Sequence, residues 1–140
     1  VLLNLVRYFI GGPIEGWTIM EPMHRVMPEY PVCFNTTFTK QDWVSSFFYN
    51  FMLWLSITWM FHVAHPALSG SWILRSLKVF GLGCLFFISL AAVYMNHYTP
   101  DIRTFYRYSM LDALMLFPLL GVANGLLYPL LLGKEEVKIW

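Results

Sequence analysis

Residues 43–61 read WVSSFFYNFMLWLSITWMF, which is 19 positions without a charged residue or a histidine. At about 1.5 Å of rise per residue, a helix of this length crosses the roughly 30 Å hydrocarbon core of a bilayer. Residues 79–96 and 113–133 have the same character. Arg75 and Lys78 precede the second stretch, where long basic side chains extend to the membrane surface. The sequence therefore predicts at least three membrane-spanning helices.

The composition also favours lipid as the surroundings of the chain. Of the 140 residues, 58% are apolar and 12% are charged, which is about half the charge that soluble domains carry. Nine basic and eight acidic residues give a net charge of +1, and without a basic run nucleic acid is not an expected partner. We predict an all-α, multi-pass integral membrane protein with a single domain over residues 1–140. Its predicted spans are 43–64, 73–95 and 109–133.

The opening residues 1–20 are apolar but are interrupted by Arg7, Pro13 and Glu15. We predict a fourth helix in this segment. Together with the three spans, it would place both ends of the chain on one side of the membrane. Two alternatives stay open: an amphipathic helix that lies in the interface, or the end of a span that begins before Val1.

A row of polar residues follows one face of the helix predicted at 43–64. Ser46, Asn50 and Thr58 fall on this face with Trp54, at successive spacings of four residues. Such residues either form hydrogen bonds between helices or line a path for water or cargo. Asp112 joins this polar set as an acid that stabilises the first turn of the last span, as a partner for Arg103 or Arg107, or as a protonatable group at the mouth of a path.

Two groups of residues carry atoms that bind metals or haem. His62 and His65 are three residues apart, so both imidazoles lie on one helix face as candidate cofactor ligands. The alternative is a pair of histidines satisfied in the core or at the interface. Thioethers and imidazoles near the other membrane surface form a candidate site for a soft ion such as Cu(I), or a packing surface against a helix end or a partner. These residues are Met20, Met23, His24, Met27 and His97.

The last predicted span contains a small-residue motif. Gly121 and Gly125 form a G-x-x-x-G, and Asn124 and Tyr128 share their face. Glycines at this spacing let two helix backbones approach closely, with a polar side chain available for a hydrogen bond. The motif predicts a helix-association surface, used either within the chain or against another subunit.

The sequence contains no nucleophile elbow, phosphate-binding loop or Cys-x-x-Cys zinc pattern, so we do not expect an enzyme. The leading hypothesis is an accessory or structural subunit of a larger, energy-converting membrane complex, respiratory or photosynthetic. Such a subunit packs against other membrane subunits, membrane lipids or cofactors, and bound lipid is its candidate ligand. The alternatives are a small oligomeric transporter or channel that uses the polar row, and a membrane protein that binds copper or haem.

Overall fold

The structure, a computed structural model, describes residues 2–16, 19, 25, 27–29, 37 and 39–132, and every regular element among them is helical. The opening residues form α1 (Leu2–Val6), a π-helical turn (Arg7–Gly11) and α2 (Gly12–Glu15). The long helices that follow are α3 (Lys40–Ala64), α4 (Trp72–Met95) and α5 (Pro100–Leu132). Short 3₁₀ turns lie at Met27–Glu29 and His65–Ala67. The predicted all-α class is confirmed.

Three of the helices, α3, α4 and α5, are long and apolar enough to cross a membrane, by length and composition. The 24 residues of α4 extend about 36 Å and the 33 residues of α5 about 50 Å, against a hydrocarbon core of about 30 Å. Residues 2–16 are helical, as predicted for the opening segment. The apolar stretch Leu2–Ile14 is shorter than the three long helices, and a fourth membrane crossing stays a prediction.

Local hydrogen bonds fix where α3 and α4 begin. The amide of Thr39 donates to Asp42 Oδ2 at 2.8 Å, and the amide of Asp42 donates to Thr39 Oγ1 at 3.3 Å. This reciprocal capping box satisfies amides that have no partner within the first turn of a helix. The amide of Leu74 similarly donates to Ser71 Oγ, at 3.3 Å, at the start of α4.

The last helix begins earlier than predicted, at Pro100 rather than near residue 109. The sequence misses this start because the first turns of the helix carry charged residues. An apolar stretch predicts only the part of a helix that lies in the hydrocarbon core. Proline is favoured in the first turn of a helix because it has no amide proton that would need a partner. Asp101 is the acid of the first turn. The interpretation of Asp112 as a first-turn acid is therefore wrong, because Asp112 lies well inside α5.

The helices α4 and α5 form a close antiparallel pair. A Cβ added at Gly125 would lie 2.5 Å from the Cα of Ile73, and one at Gly121 would lie 3.1 Å from the Cβ of Phe80. Further along the pair, a Cβ at Gly83 would lie 3.3 Å from the Phe117 ring. Successive contacts along the pair join residue 73 to 125, 80 to 121 and 83 to 117. The two helices therefore run antiparallel. The glycines let the two backbones touch.

Trp54 of α3 is at the centre of the core. Its ring stacks on Phe80 with a centroid distance of 6.5 Å and meets Phe117 edge-on at 5.1 Å. Leu3 adds a buried side chain from the opening helix. Every long helix and the opening helix thus contribute to one cluster. Its buried members are Leu3, Trp54, Ile57, Phe80, Cys84, Ala113, Leu116, Phe117 and Leu120.

Basic side chains at the start of α4 turn back towards the preceding loop. Lys78 Nζ donates to the carbonyl of Ser69 at 2.9 Å, and Arg75 Nε donates to the carbonyl of Gly70 at 2.8 Å. Gly70 has a φ of 107°, in the region that favours glycine. Both side chains therefore extend from α4 towards the loop before it, and their extension to a membrane surface stays a prediction.

Replacing Gly125 with alanine tests the α4–α5 contact. We expect Gly125→Ala to lower the free energy of unfolding by about 1–3 kcal/mol, because the new methyl group meets backbone atoms of Ile73 that cannot rotate away. Thermal unfolding in detergent micelles, followed by circular dichroism, measures this loss. Gly81→Ala is the matched control, since a Cβ there meets nothing within 4 Å; it should be neutral or stabilising by up to about 1 kcal/mol. Equal effects of the two substitutions would contradict the contact.

Candidate functional site

A cavity of about 290 Å³ lies between the opening helix, α3 and α5. The opening helix is antiparallel to α5, because Leu2 and Leu131 border the same cavity whereas a Cβ at Gly11 would lie 2.9 Å from Leu116. Most of the lining is apolar, with a few polar side chains among the leucines and aromatic rings. The lining residues are Leu2, Leu3, Asn4, Phe51, Trp54, Leu55, Thr58, Asn124, Leu127, Tyr128 and Leu131.

Two polar atoms of residues that border this cavity are buried without a hydrogen-bond partner among the described residues: Asn4 Oδ1, an acceptor, and Trp54 Nε1, a donor. Asn4 is 5% exposed and Trp54 is 3% exposed. Leaving such a group unsatisfied costs about 1–3 kcal/mol. The sequence indicates that the Trp54 indole needs a partner, but it gives no reason to single out Asn4. Only the packing of the opening helix against α3 and α5 buries that side chain.

A second polar contact joins α4 to α5. Asn124 Nδ2 donates to Ser76 Oγ at 3.0 Å, and both side chains are buried. The stripe of Gly121, Asn124, Gly125 and Tyr128 thus faces elements of the same chain. The sequence leaves open whether this stripe associates with helices of the same chain or with another subunit. The contacts that the structure describes for the stripe are with helices of the same chain.

His62 and His65 lie in an aromatic cluster at the end of α3. The Tyr128 hydroxyl and His62 Nδ1 share a hydrogen bond. The His65 ring lies 5.3 Å from the Tyr128 ring and 5.2 Å from the Trp72 ring, centroid to centroid. The Arg75 guanidinium lies 5.5 Å from the centre of the Trp72 ring, at cation–π distance. The cluster joins the ends of α3, α4 and α5, and a cofactor role for the histidines stays a prediction.

Two residues of the polar row on α3, Asn50 and Thr58, donate hydrogen bonds within their own helix. Asn50 Nδ2 donates to the carbonyl of Ser46 at 2.9 Å, and Thr58 Oγ1 donates to the carbonyl of Trp54 at 2.7 Å. Both are bonds to the residue four positions earlier, a pattern that polar side chains adopt inside helices. Asp112 is half-buried and lies on α5. These donors are therefore not the ones that join the helices, and a water- or cargo-lined path stays a prediction.

The proposed copper ligands are only partly within the described residues. Met20, Met23 and His24 lie outside them. Met27 belongs to a 3₁₀ turn and His97 follows the end of α4. Among the described residues, no group of three or more histidine, cysteine, aspartate or glutamate side chains is placed to hold a metal ion.

A neighbouring cavity of about 450 Å³ shares Asn4 and Phe51 with the first. The Tyr8 and Phe47 rings, which also line it, stack at a centroid distance of 5.8 Å. Asn4 therefore stands between two apolar spaces. The two cavities are lined mainly by apolar side chains and by a few neutral polar ones, so their chemistry suits a mainly apolar molecule. The chain matches no model of a known protein family, no curated protein and no solved structure.

Replacing Ser76 with alanine tests the polar contact between α4 and α5. We expect Ser76→Ala to lower the free energy of unfolding by about 1 kcal/mol, because Asn124 Nδ2 loses its buried acceptor. Ser56→Ala is the matched control, since Ser56 Oγ donates at 2.8 Å to the carbonyl of Met52 in its own helix and is exposed. Chemical denaturation in micelles compares the two. A loss in Ser76→Ala no greater than in Ser56→Ala would rule out a stabilising role for the bond.

Proposed function

We propose that the chain is an accessory subunit of a larger membrane complex, and that the outward face of α3 packs against a transmembrane helix of a partner subunit. In this role one side of α3 packs against the α4–α5 pair of its own chain. The opposite side of α3 packs against the partner. The observation that carries the proposal is the residue pattern on the outward face of α3.

Six residues of α3 recur at alternating spacings of four and three positions, and we call them the outer stripe. This is the 3.5-residue period of seams between packed helices. Tyr49, Trp59 and Val63 are 69%, 65% and 65% exposed. Along the stripe each small serine is followed by two larger side chains, which supports the fitting of one helix surface into another. The outer stripe consists of Ser45, Tyr49, Met52, Ser56, Trp59 and Val63.

The helix α3 is also the least covered of the long helices. In its most apolar 18-residue window 17% of the residues are buried, compared with 39% in α5. The buried residues of α3 are Trp54, Ile57 and Phe61, which form a narrow contact with the rest of the chain. A helix attached along one narrow line has most of its circumference available for other helices or lipid.

The finer proposal is that the complex is energy-converting, respiratory or photosynthetic. Its support is the composition of residues 21–39, which precede α3 and in which eight of the 19 residues are proline, tyrosine, phenylalanine or methionine. Aromatic and methionine side chains are enriched at protein interfaces, where charged residues are depleted. Connections of this kind suit a subunit whose ends are covered by neighbours.

Native mass measurement after extraction in mild detergent tests the proposal. We expect the chain to leave the membrane in a complex with other polypeptides. Ser56→Phe should lower the fraction of assembled protein about tenfold, because a bulky ring replaces a small side chain in the outer stripe. The matched control is Ser89→Phe, at an exposed position of α4 outside the stripe, which should assemble as the native chain does. A stable monomer with no co-purifying polypeptide, or equal assembly of the two variants, would contradict the proposal.

A further inference from the structure

We infer that Tyr128 and His62 form a redox pair, in which Tyr128 gives one electron to an oxidant of a partner subunit while its phenolic proton moves to His62 Nδ1. The oxidant is a one-electron acceptor, either a high-valent metal centre or a photo-oxidised pigment. This inference rests on the proposed subunit role, because the oxidant belongs to the partner. The contact that carries it is the hydrogen bond between the Tyr128 hydroxyl and His62 Nδ1.

The hydrogen bond joins α5 to α3 inside a group of aromatic rings. The Tyr128 side chain is 9% exposed. The centroids of the Phe61, His65 and Trp72 rings lie 4.9, 5.3 and 5.7 Å from the centroid of its ring. A phenol in these surroundings is shielded from water, so a proton that leaves it needs an acceptor within the protein. His62 Nδ1 is in place to be that acceptor.

The loss of an electron from Tyr128 requires the loss of its proton as well. A phenol radical cation would be a buried charge without a partner, which is strongly unfavourable. When Nδ1 carries no proton, the hydroxyl donates to it, so the proton has only to move along the existing hydrogen bond. The products are a neutral phenoxyl radical and a His62 imidazolium. On reduction an electron returns to the phenoxyl oxygen and the proton returns from Nδ1, which restores both side chains.

The position of His62 stabilises the positive charge of the imidazolium. His62 lies in the last turn of α3, where the carbonyls at the C-terminal end of a helix favour a cation. Its side chain is exposed, and an ion this near the end of a span is close to the polar surface of the bilayer. Histidine is also the side chain that most readily takes up and releases a proton near neutral pH. The pair therefore has a donor of the electron and a reversible acceptor of the proton.

Trp59 connects the pair to the outer stripe. Its ring lies 5.7 Å from the His62 ring, and the His62 ring lies 6.1 Å from the Tyr128 ring, centroid to centroid. Trp59 is 65% exposed and belongs to the face that the proposed function places against the partner. The path from the partner to Tyr128 therefore crosses one indole and one imidazole ring.

Photo-oxidation of the purified native chain in detergent tests the pair. The oxidant is ruthenium tris-bipyridine, raised to its Ru(III) state by light and persulfate, so that no partner subunit is needed. Electron paramagnetic resonance identifies the tyrosyl radical, and transient absorption measures the rate at which it forms. We expect Tyr128→Phe to remove the fastest phase of radical formation. The matched control is Tyr49→Phe, at a tyrosine that is 69% exposed, which should leave this phase unchanged. A fast phase that persists in Tyr128→Phe would overturn the inference.

His62→Asn tests the proton acceptor. The asparagine amide can still accept the hydrogen bond of the phenol, but it takes up no proton. We expect the oxidation of Tyr128 to slow about a hundredfold, the contribution of a positioned proton acceptor, and added imidazole to restore part of the rate. His65→Asn is the matched control, since the His65 ring also lies beside Tyr128, and it should oxidise at the native rate. Equal rates in the His62→Asn and native chains would mean that the bond only ties α3 to α5.

Heavy water examines the same step without a substitution. The oxidation of Tyr128 in the native chain should be slower in heavy water, because a proton moves together with the electron. A rate that is the same in both solvents would overturn the inference.

The redox pair and the subunit role fail separately. A native chain that assembles with partners but forms no radical at Tyr128 would overturn the redox pair and leave the subunit role standing. A chain that forms the radical but leaves the membrane as a monomer would contradict the subunit role, and with it the partner as the source of the oxidant.

Discussion

Backbone contact between α4 and α5 is the constraint on which the other elements depend. Ile73 and Gly125 approach so closely that a single added carbon would lie 2.5 Å from a backbone atom. Association of helices in lipid gains little from the hydrophobic effect, so close packing and buried polar contacts have to supply the stability. The hydrogen bond from Asn124 to Ser76 adds such a contact beside the glycines. This pair presents the surface of Phe80 and Phe117 on which Trp54 of α3 packs.

The pair also explains why the rest of the chain is less completely packed. The helix α3 is attached through a narrow line of buried residues, and the opening helix reaches the core through Leu3. These two elements leave space between them and α5, and this space is bordered by Asn4 and Trp54, each of which has a buried polar atom without a partner among the described residues. A rigid pair with two loosely attached neighbours therefore accounts for both the outward face of α3 and the cavity beneath the opening helix.

The sequence predicts most of the fold because hydrophobicity over 18 or more residues is a strong signal for a membrane helix. It misplaces the start of α5, since the charged residues after Pro100 belong to the helix but not to its apolar part. The polar row was visible in the sequence, yet spacing alone does not reveal that Asn50 and Thr58 donate to their own helix. Nor does spacing reveal the burial of Asn4, which depends on contacts between segments that are far apart in the chain.

Disulfide formation between α4 and α5 in intact membranes tests the central claim most directly. In a chain whose native Cys33 and Cys84 are replaced by alanine, cysteines at positions 76 and 124 should form an intramolecular disulfide on mild oxidation, because the native side chains there are in hydrogen-bond contact. Cysteines at 76 and 122 should not, since Val122 is exposed on another face of α5. Efficient cross-linking of the first pair alone is the predicted result; no cross-link at 76 and 124, or equal cross-linking of both pairs, would contradict the account.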